Sequence, residues 1–160
     1  MIIAFIEDGN LYHEKIAVPD GIRFLAMVPN FELSTEKARA VLPKQIPHKD
    51  GVFNVSRCAL LIAAFTNNNL DLVKVACKDK FHQDYRSHLI NNYDDIVNYA
   101  NTLDSLGTFL SGAGPTIMTL AKDSDEEILD KMNSYLSSLE DDWKILDLHC
   151  DANGAYCKEV

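Results

Sequence analysis

The chain opens with MIIAFIEDGNLYHEKI: an apolar run, the turn residues Glu7-Asp8-Gly9-Asn10, then an alternating run. That pattern predicts a β-hairpin. After a second turn at PDGI, RFLAMVP (residues 23 to 29) reads as a buried strand ended by Pro29. Ser34 suits an N-cap, with Glu36 in the first turn of a short helix over TEKARAVL that Pro43 stops. Val52, Val55, Ala59, Ile62 and Ala63 keep the helical period, which predicts a largely buried helix over 51 to 66. NNNL breaks it and LDLVKVAC starts another. HQDYRSHLI and YDDIVNYANTLDSL read as further helical pieces around a break at Asn91-Asn92.

Residues 106–110 and 116–121 alternate well enough for two antiparallel strands joined by a glycine-rich turn. Ser124-Asp125-Glu126-Glu127 has the form of a capping box, Ser124 at N-cap, opening an amphipathic helix to about Leu139. WKILDLHC follows as a strand, DANG as a turn and AYCKEV as a last short strand. No repeat, low-complexity tract or linker interrupts the series. The pattern is α+β: a mostly antiparallel sheet with helices on one face.

Composition adds limits. The 160 residues fit one compact domain; a chain of this size buries about 68–70% of its unfolded surface. With 47% hydrophobic residues it has ample apolar surface for a core. No apolar run approaches the ~18 residues of a membrane span, and no basic-then-apolar leader is visible. The net charge of −9 argues against nucleic acid or an anionic membrane as a partner. Cys58 and Cys77 fall in apolar helical patterns and read as buried thiols, while Cys150 and Cys157 flank a turn without zinc or disulfide spacing. A reducing, cytoplasmic setting is the expectation.

Chemistry has two candidate locations. Ser111-Gly112-Ala113-Gly114-Pro115-Thr116 is not a P-loop, since no Gly-Lys-Ser/Thr follows. Nor is it a dinucleotide fingerprint, since Ile117 takes the third glycine position. Its glycines allow positive φ, so the N–H groups either converge on an anion or merely close a tight turn. The second location is cationic: Arg39, Arg57 and Arg86 end STEKAR, FNVSR and HQDYR on separate helical segments. A planar guanidinium is a natural clamp for a carboxylate, although each could equally pair with surface acids. His13, His48, His88 and His149 stand isolated, and His82 differs only in opening HQDYR, where it can order Tyr85 or Arg86. No metal pattern and no nucleophile–base pair is legible, and Asp50, Asp84, Asp94 and Asp95 compete equally as bases.

Taken together, VPNFELSTEKARAVLP, FNVSRCALLIAAF, HQDYRSHLI and LSGAGPT, in that order, closely resemble the C-terminal half of the bacterial homoserine kinase family. That family lies in the GHMP kinase superfamily, whose third motif SGAGPT resembles. The resemblance covers nearly the whole chain. It implies transfer of the γ-phosphoryl of Mg-ATP to the side-chain hydroxyl of L-homoserine, in threonine biosynthesis. Arg39 and Arg86 match the arginines that grip the amino acid's carboxylate. Ser111 to Thr116 match the loop beside the substrate, and Arg57 with Asn54 take supporting roles.

Family members run to about twice this length, and the half carrying the PxxxGLGSSA phosphate loop and the magnesium-holding acid would precede residue 1. Asn91 stands where the family has a proline. The expectation is therefore a hairpin (1–19) left from the first domain, and a ferredoxin-like second domain (20–160). The catalytic base would lie in the other half. The chain alone is expected to be inactive and to bind neither ATP nor Mg²⁺. It would complement a separate N-terminal half, or dimerise through its exposed strand edges. The alternative is a non-catalytic ferredoxin-like module that binds a small amino acid.

Overall fold

The computed structural model describes residues 1–155 and 157–158. Ile2–Glu7 (β1) and Asn10–Lys15 (β2) form a hairpin with Phe5 opposite Tyr12 and Ile6 opposite Leu11. Asp8 and Gly9 hold its turn at φ 50° and 77°, the left-handed pair that matches strand twist. Then come Ile22–Pro29 (β3), Thr35–Ala40 (α1), His48–Thr66 (α2), Val73–Ala76 (α3), Gln83–Arg86 (α4) and Tyr93–Thr102 (α5). Gly107–Leu110 (β4), Ile117–Lys122 (β5), Glu127–Leu136 (α6) and Trp143–Leu148 (β6) complete the series. Ser34 caps α1 as expected, its hydroxyl accepting from the Lys37 N–H at 3.1 Å.

The larger sheet is antiparallel throughout, in the order β4-β5-β3-β6. Its first strand sits between its third and fourth, and helices cross over in both connections. That is the ferredoxin-like arrangement. Because side chains alternate across a strand, the two faces bury different things. Leu25, Met27 and Ile117 meet Ile96 of α5 with Ile128 and Met132 of α6. Each such side chain contributes about 1.5–3 kcal/mol when wholly buried. Phe24, Phe109 and Leu120 face the other way, toward Leu61, Ala64 and Phe65 of α2.

The helix over 51 to 66 exists, but its buried face is not the predicted one. Val52 and Val55 are 56% and 68% exposed, and Ala59 and Ala63 are also exposed. α2 carries apolar side chains on more than one face, so periodicity cannot choose between them. The bulkier Leu61 and Phe65, one turn apart, meet the sheet. Cys58 borders the same cleft as Leu61 and Phe65 but is exposed, and so is not a buried thiol. Cys77 is half-buried, and burial pushes its thiol up to about 12.

The capping box is also displaced. Asp125 N donates to Lys122 O at 3.0 Å, a turn after which the helix begins only at Glu127. Asp125 Oδ1 then accepts from the Ile128 N–H at 3.1 Å, and Ser124 caps nothing. DANG does turn, with Asp151 Oδ1 accepting from Asn153 N at 2.7 Å. The expected strand AYCKEV is absent at residues 155, 157 and 158, and Tyr156, Glu159 and Val160 lie outside the described residues.

Candidate functional site

Arg86 closes the one-turn helix α4, and its guanidinium reaches two other segments. Nε donates to the Ala38 carbonyl at 3.0 Å, and Nη1 donates to the Gly112 carbonyl at 3.0 Å. One side chain thus gathers α1, the glycine turn and α4, 48 and 26 residues away from it in sequence. Arg39 follows Ala38 directly, exposed in the last turn of α1. Three of the segments singled out by sequence therefore meet at one place. The Nη2 of Arg86 keeps no partner among the described residues, so it remains free to donate to a carboxylate.

The glycine turn is partly closed on itself. Ser111 N donates to Thr116 O at 2.9 Å and Gly114 N to Ser111 O at 3.0 Å. Gly112 and Gly114 sit at φ 59° and 84°. Gly114 also has no room for a side chain: a Cβ there would lie 3.0 Å from Leu110 Cδ1 and 3.1 Å from Ile90 Cδ1. The N–H groups of Gly112 and Ala113 stay unbonded among the described residues. A β-strand follows the turn, so no helix dipole adds to them.

Asn54 and Arg57 lie elsewhere, on α2, where it borders a cleft of about 650 Å³ against the second face of the sheet. Arg57 stacks its guanidinium 3.7 Å from the centre of the Phe53 ring and donates from Nη1 to Ser56 Oγ at 2.9 Å. Its Nε is buried without a partner among the described residues, as is His82 Nδ1 on the same cleft. Asn54 is committed internally. Its amide donates to Asp79 Oδ1 at 2.6 Å, and its carbonyl accepts from Lys80 N at 2.8 Å.

Asp79 is the residue that sequence reasoning missed. Its Oδ2 accepts the N–H groups of Phe81, His82 and Gln83 at 3.0, 2.7 and 2.7 Å. Burial raises its pKa. The bonds from Gln83, His82, Asn54 and Phe81 outweigh that and hold the carboxyl below the ordinary range. An aspartate that accepts N–H groups from the residues just after it makes an Asx-type turn, and KDKFHQ has an aspartate in that place. Gln83 had no such signal. Its Oε1 accepts from Leu110 N at 2.9 Å and Tyr93 OH at 3.0 Å, and its Nε2 donates to Cys77 O at 3.2 Å. The His82 side chain makes no hydrogen bond to Tyr85 or Arg86 among the described residues; only its carbonyl accepts from the Arg86 N–H, at 3.0 Å. Burial lowers its pKa, the Asp79 charge 3.8 Å away raises it, and Arg86 lowers it, leaving it below the usual imidazole value.

Among the described residues, no group of three or more His, Cys, Asp and Glu can hold a metal ion.

Residues 61–138 match the family described as GHMP kinases C terminal. The chain carries the C-terminal domain of a GHMP kinase. It is 47% identical over 154 residues to homoserine kinase of Clostridium botulinum, across 96% of this chain and 52% of that protein. Homoserine kinase of Clostridium beijerinckii is 46% identical over 155 residues. The crystal structure of homoserine kinase from Cytophaga hutchinsonii superposes with a TM-score of 0.80 at 27% identity, over 86% of this chain and 44% of that one. L. major mevalonate kinase shares the fold, with a TM-score of 0.65 at 18% identity. Over nearly its whole length the chain is thus similar to part of these homoserine kinases. The chain spans about half the length of the curated relatives it matches.

Proposed function

We propose that the chain forms the amino-acid side of a kinase that phosphorylates the side-chain hydroxyl of L-homoserine. In this reading Arg86, with Arg39 beside it, holds the substrate carboxylate, and the loop Ser111 to Thr116 lines the same place. The observation that carries the reading is the pair of bonds from Arg86 to Ala38 O and Gly112 O, which leaves one edge of a rigid guanidinium to donate. Arg57 and Asn54 act at one remove: Asn54 through Asp79, and Arg57 from the wall of the cleft. Residues 1–19 belong with the remainder of the enzyme, and 20–160 form the substrate-side domain.

Phosphoryl transfer rests on positioning and on neutralising charge at the phosphates. Arg86 and Arg39 supply the first for the acceptor. Nothing among the described residues supplies the second, because the glycine turn has no lysine and no metal-holding cluster is present. ATP and Mg²⁺ are therefore assigned to a polypeptide corresponding to the rest of the homologues' length. The chain alone is expected to release no ADP from Mg-ATP and L-homoserine. Turnover is expected on adding the part of the C. botulinum enzyme that this chain does not align with. Turnover by the chain alone would overturn the division of labour.

A second reading is a homoserine-binding module without catalysis. The same absence of a phosphate cradle among the described residues favours it. Calorimetric binding of L-homoserine by the chain, with no turnover in any mixture, would select it.

A further inference from the structure

The single turn of α4 grips the glycine turn at two points. Gln83 opens this helix and Arg86 closes it, and a spacing of three residues puts both side chains on one side. Arg86 Nη1 donates to Gly112 O at 3.0 Å. Gln83 Oε1 accepts from Leu110 N at 2.9 Å, two residues earlier in the same stretch. Leu110 pairs with Ile117 across β4 and β5, and β4 is an outer strand. No strand among the described residues therefore supplies a partner on the other side of Leu110. A buried backbone N–H needs one, and the side chain of Gln83 fills the place.

The amide is held from every side. Oε1 also accepts from Tyr93 OH at 3.0 Å, and Nε2 donates to Cys77 O at 3.2 Å. A carboxamide offers an acceptor and donors next to each other. Turned over, it would set N–H against N–H at Leu110, so these partners fix its orientation. The backbone N–H of Gln83 is bonded to Asp79 Oδ2 at 2.7 Å, which anchors the base of the helix. Leu110 passes the constraint on. Its side chain is buried, and its Cδ1 lies 3.0 Å from the point a Cβ on Gly114 would occupy. Gly114 N donates in turn to Ser111 O at 3.0 Å. A displaced Leu110 therefore moves the floor of the glycine turn. Arg86 follows, because its guanidinium is bonded to that turn and to Ala38 O at once.

We propose that Gln83 is a positioning residue: by holding the Leu110 N–H it fixes the glycine turn relative to the Arg86 guanidinium. Gln83 touches no substrate in this arrangement and acts only through Leu110. Its effect on the substrate rests on the proposed function. A carboxylate held by Arg86 is then set against the loop Ser111 to Thr116 by Gln83. Gln83 consequently governs affinity for L-homoserine and leaves the handling of Mg-ATP unchanged.

The test has two arms, each run on Gln83→Met and on Gln83→Ala, so that neither added bulk nor its loss decides the result. On the chain alone, hydrogen exchange is followed by NMR at the Leu110, Ser111 and Gly114 amides. Both variants are expected to speed these about tenfold, while the β3 amides keep their rates and report an intact fold. The second arm uses the mixture with the complementary part of the C. botulinum enzyme. There the KM for L-homoserine is expected to rise about tenfold, with kcat and the KM for ATP within about twofold of the natural chain. Ile22→Ala, at the opposite end of β3 from the turn, is expected to lower stability without raising the KM for L-homoserine. Natural exchange rates in both variants overturn the proposal. So does a KM for L-homoserine that is unchanged, or that rises no more than the KM for ATP. A natural mixture without turnover overturns the proposed function instead, and the exchange arm then decides by itself whether Gln83 holds the turn.

Discussion

Asn54 Nδ2 donates to Asp79 Oδ1 over 2.6 Å, joining α2 to the turn from which α4 begins. Asp79 in turn fixes three successive N–H groups at the start of α4. Arg86 stands at the far end of that helix, so the position of the free guanidinium edge depends on a carboxylate seven residues upstream.

Asp79→Ala is therefore expected to destabilise the fold by about 1.5–3 kcal/mol, the range for hydrogen bonds to a charged group. Urea titration at pH 7 reads this directly. Asp79→Asn retains part of the loss, because an amide oxygen accepts the same N–H groups without the charge. A loss no larger than that of an ordinary surface substitution would show that the node is not structural.

The same residue carries a pH dependence with a definite sign. Its folded value is depressed, so its contribution is fully present above the ordinary aspartate value of about 3.9. It disappears as pH falls through the lower folded value. The stability difference between the natural chain and Asp79→Asn should shrink as urea midpoints are followed from pH 6 downward. A difference that grows on acidification would contradict the assignment.

Gly114→Ala is expected to cost more than Gly112→Ala. Both sit at positive φ, which costs a side-chain-bearing residue roughly 1–2 kcal/mol. Only Gly114 also meets Leu110 and Ile90 at 3.0 and 3.1 Å, while Gly112 faces open space. Thermal unfolding of the two variants ranks them.

Cys77 should be the slowest of the cysteines to alkylate. Burial pushes its thiol to about 12, so thiolate is scarce at pH 8, whereas Cys58, Cys150 and Cys157 are exposed. Timed iodoacetamide labelling with peptide mass spectrometry gives the order. Early labelling of Cys77 would mean that the cleft opens.

In the core, Met132→Ala is expected to cost about 2–5 kcal/mol. Val55→Ala, on the exposed side of α2, should stay within about 0.5 kcal/mol at concentrations where the chain is monomeric. This pair measures the difference between the two faces that periodicity left undecided.

Much of the fold was legible because local chemistry and tertiary context agree. The Asp8-Gly9 turn, the Ser34 cap and the alternation around SGAGPT each specify their own geometry. α2 was misread for a physical reason: apolar residues lie around much of the helix, and only the sheet decides which side is buried. The cap moved from Ser124 to Asp125 because a preceding turn, invisible to spacing, delayed the helix, which begins only at Glu127. Within the site, Arg39, Arg86 and the glycine turn could be named from their motifs. That Arg86 joins them through backbone carbonyls could not, since carbonyls have no sequence signature. Asp79 was not singled out among the 24 acidic residues.

Gln83 has a consequence for how the protein meets other chains. β4 is an outer strand of the larger sheet, and the Leu110 N–H that would invite a neighbour is occupied by the Gln83 side chain. That carbonyl is itself held by Tyr93, so the stopper does not swing aside freely. The larger sheet is thus plugged at this point by its own glutamine, while the hairpin sixty residues and more upstream has nothing of the kind along β1. A lone amide thus closes this stretch of the β4 edge to strand addition, while β6 is the sheet's other outer strand.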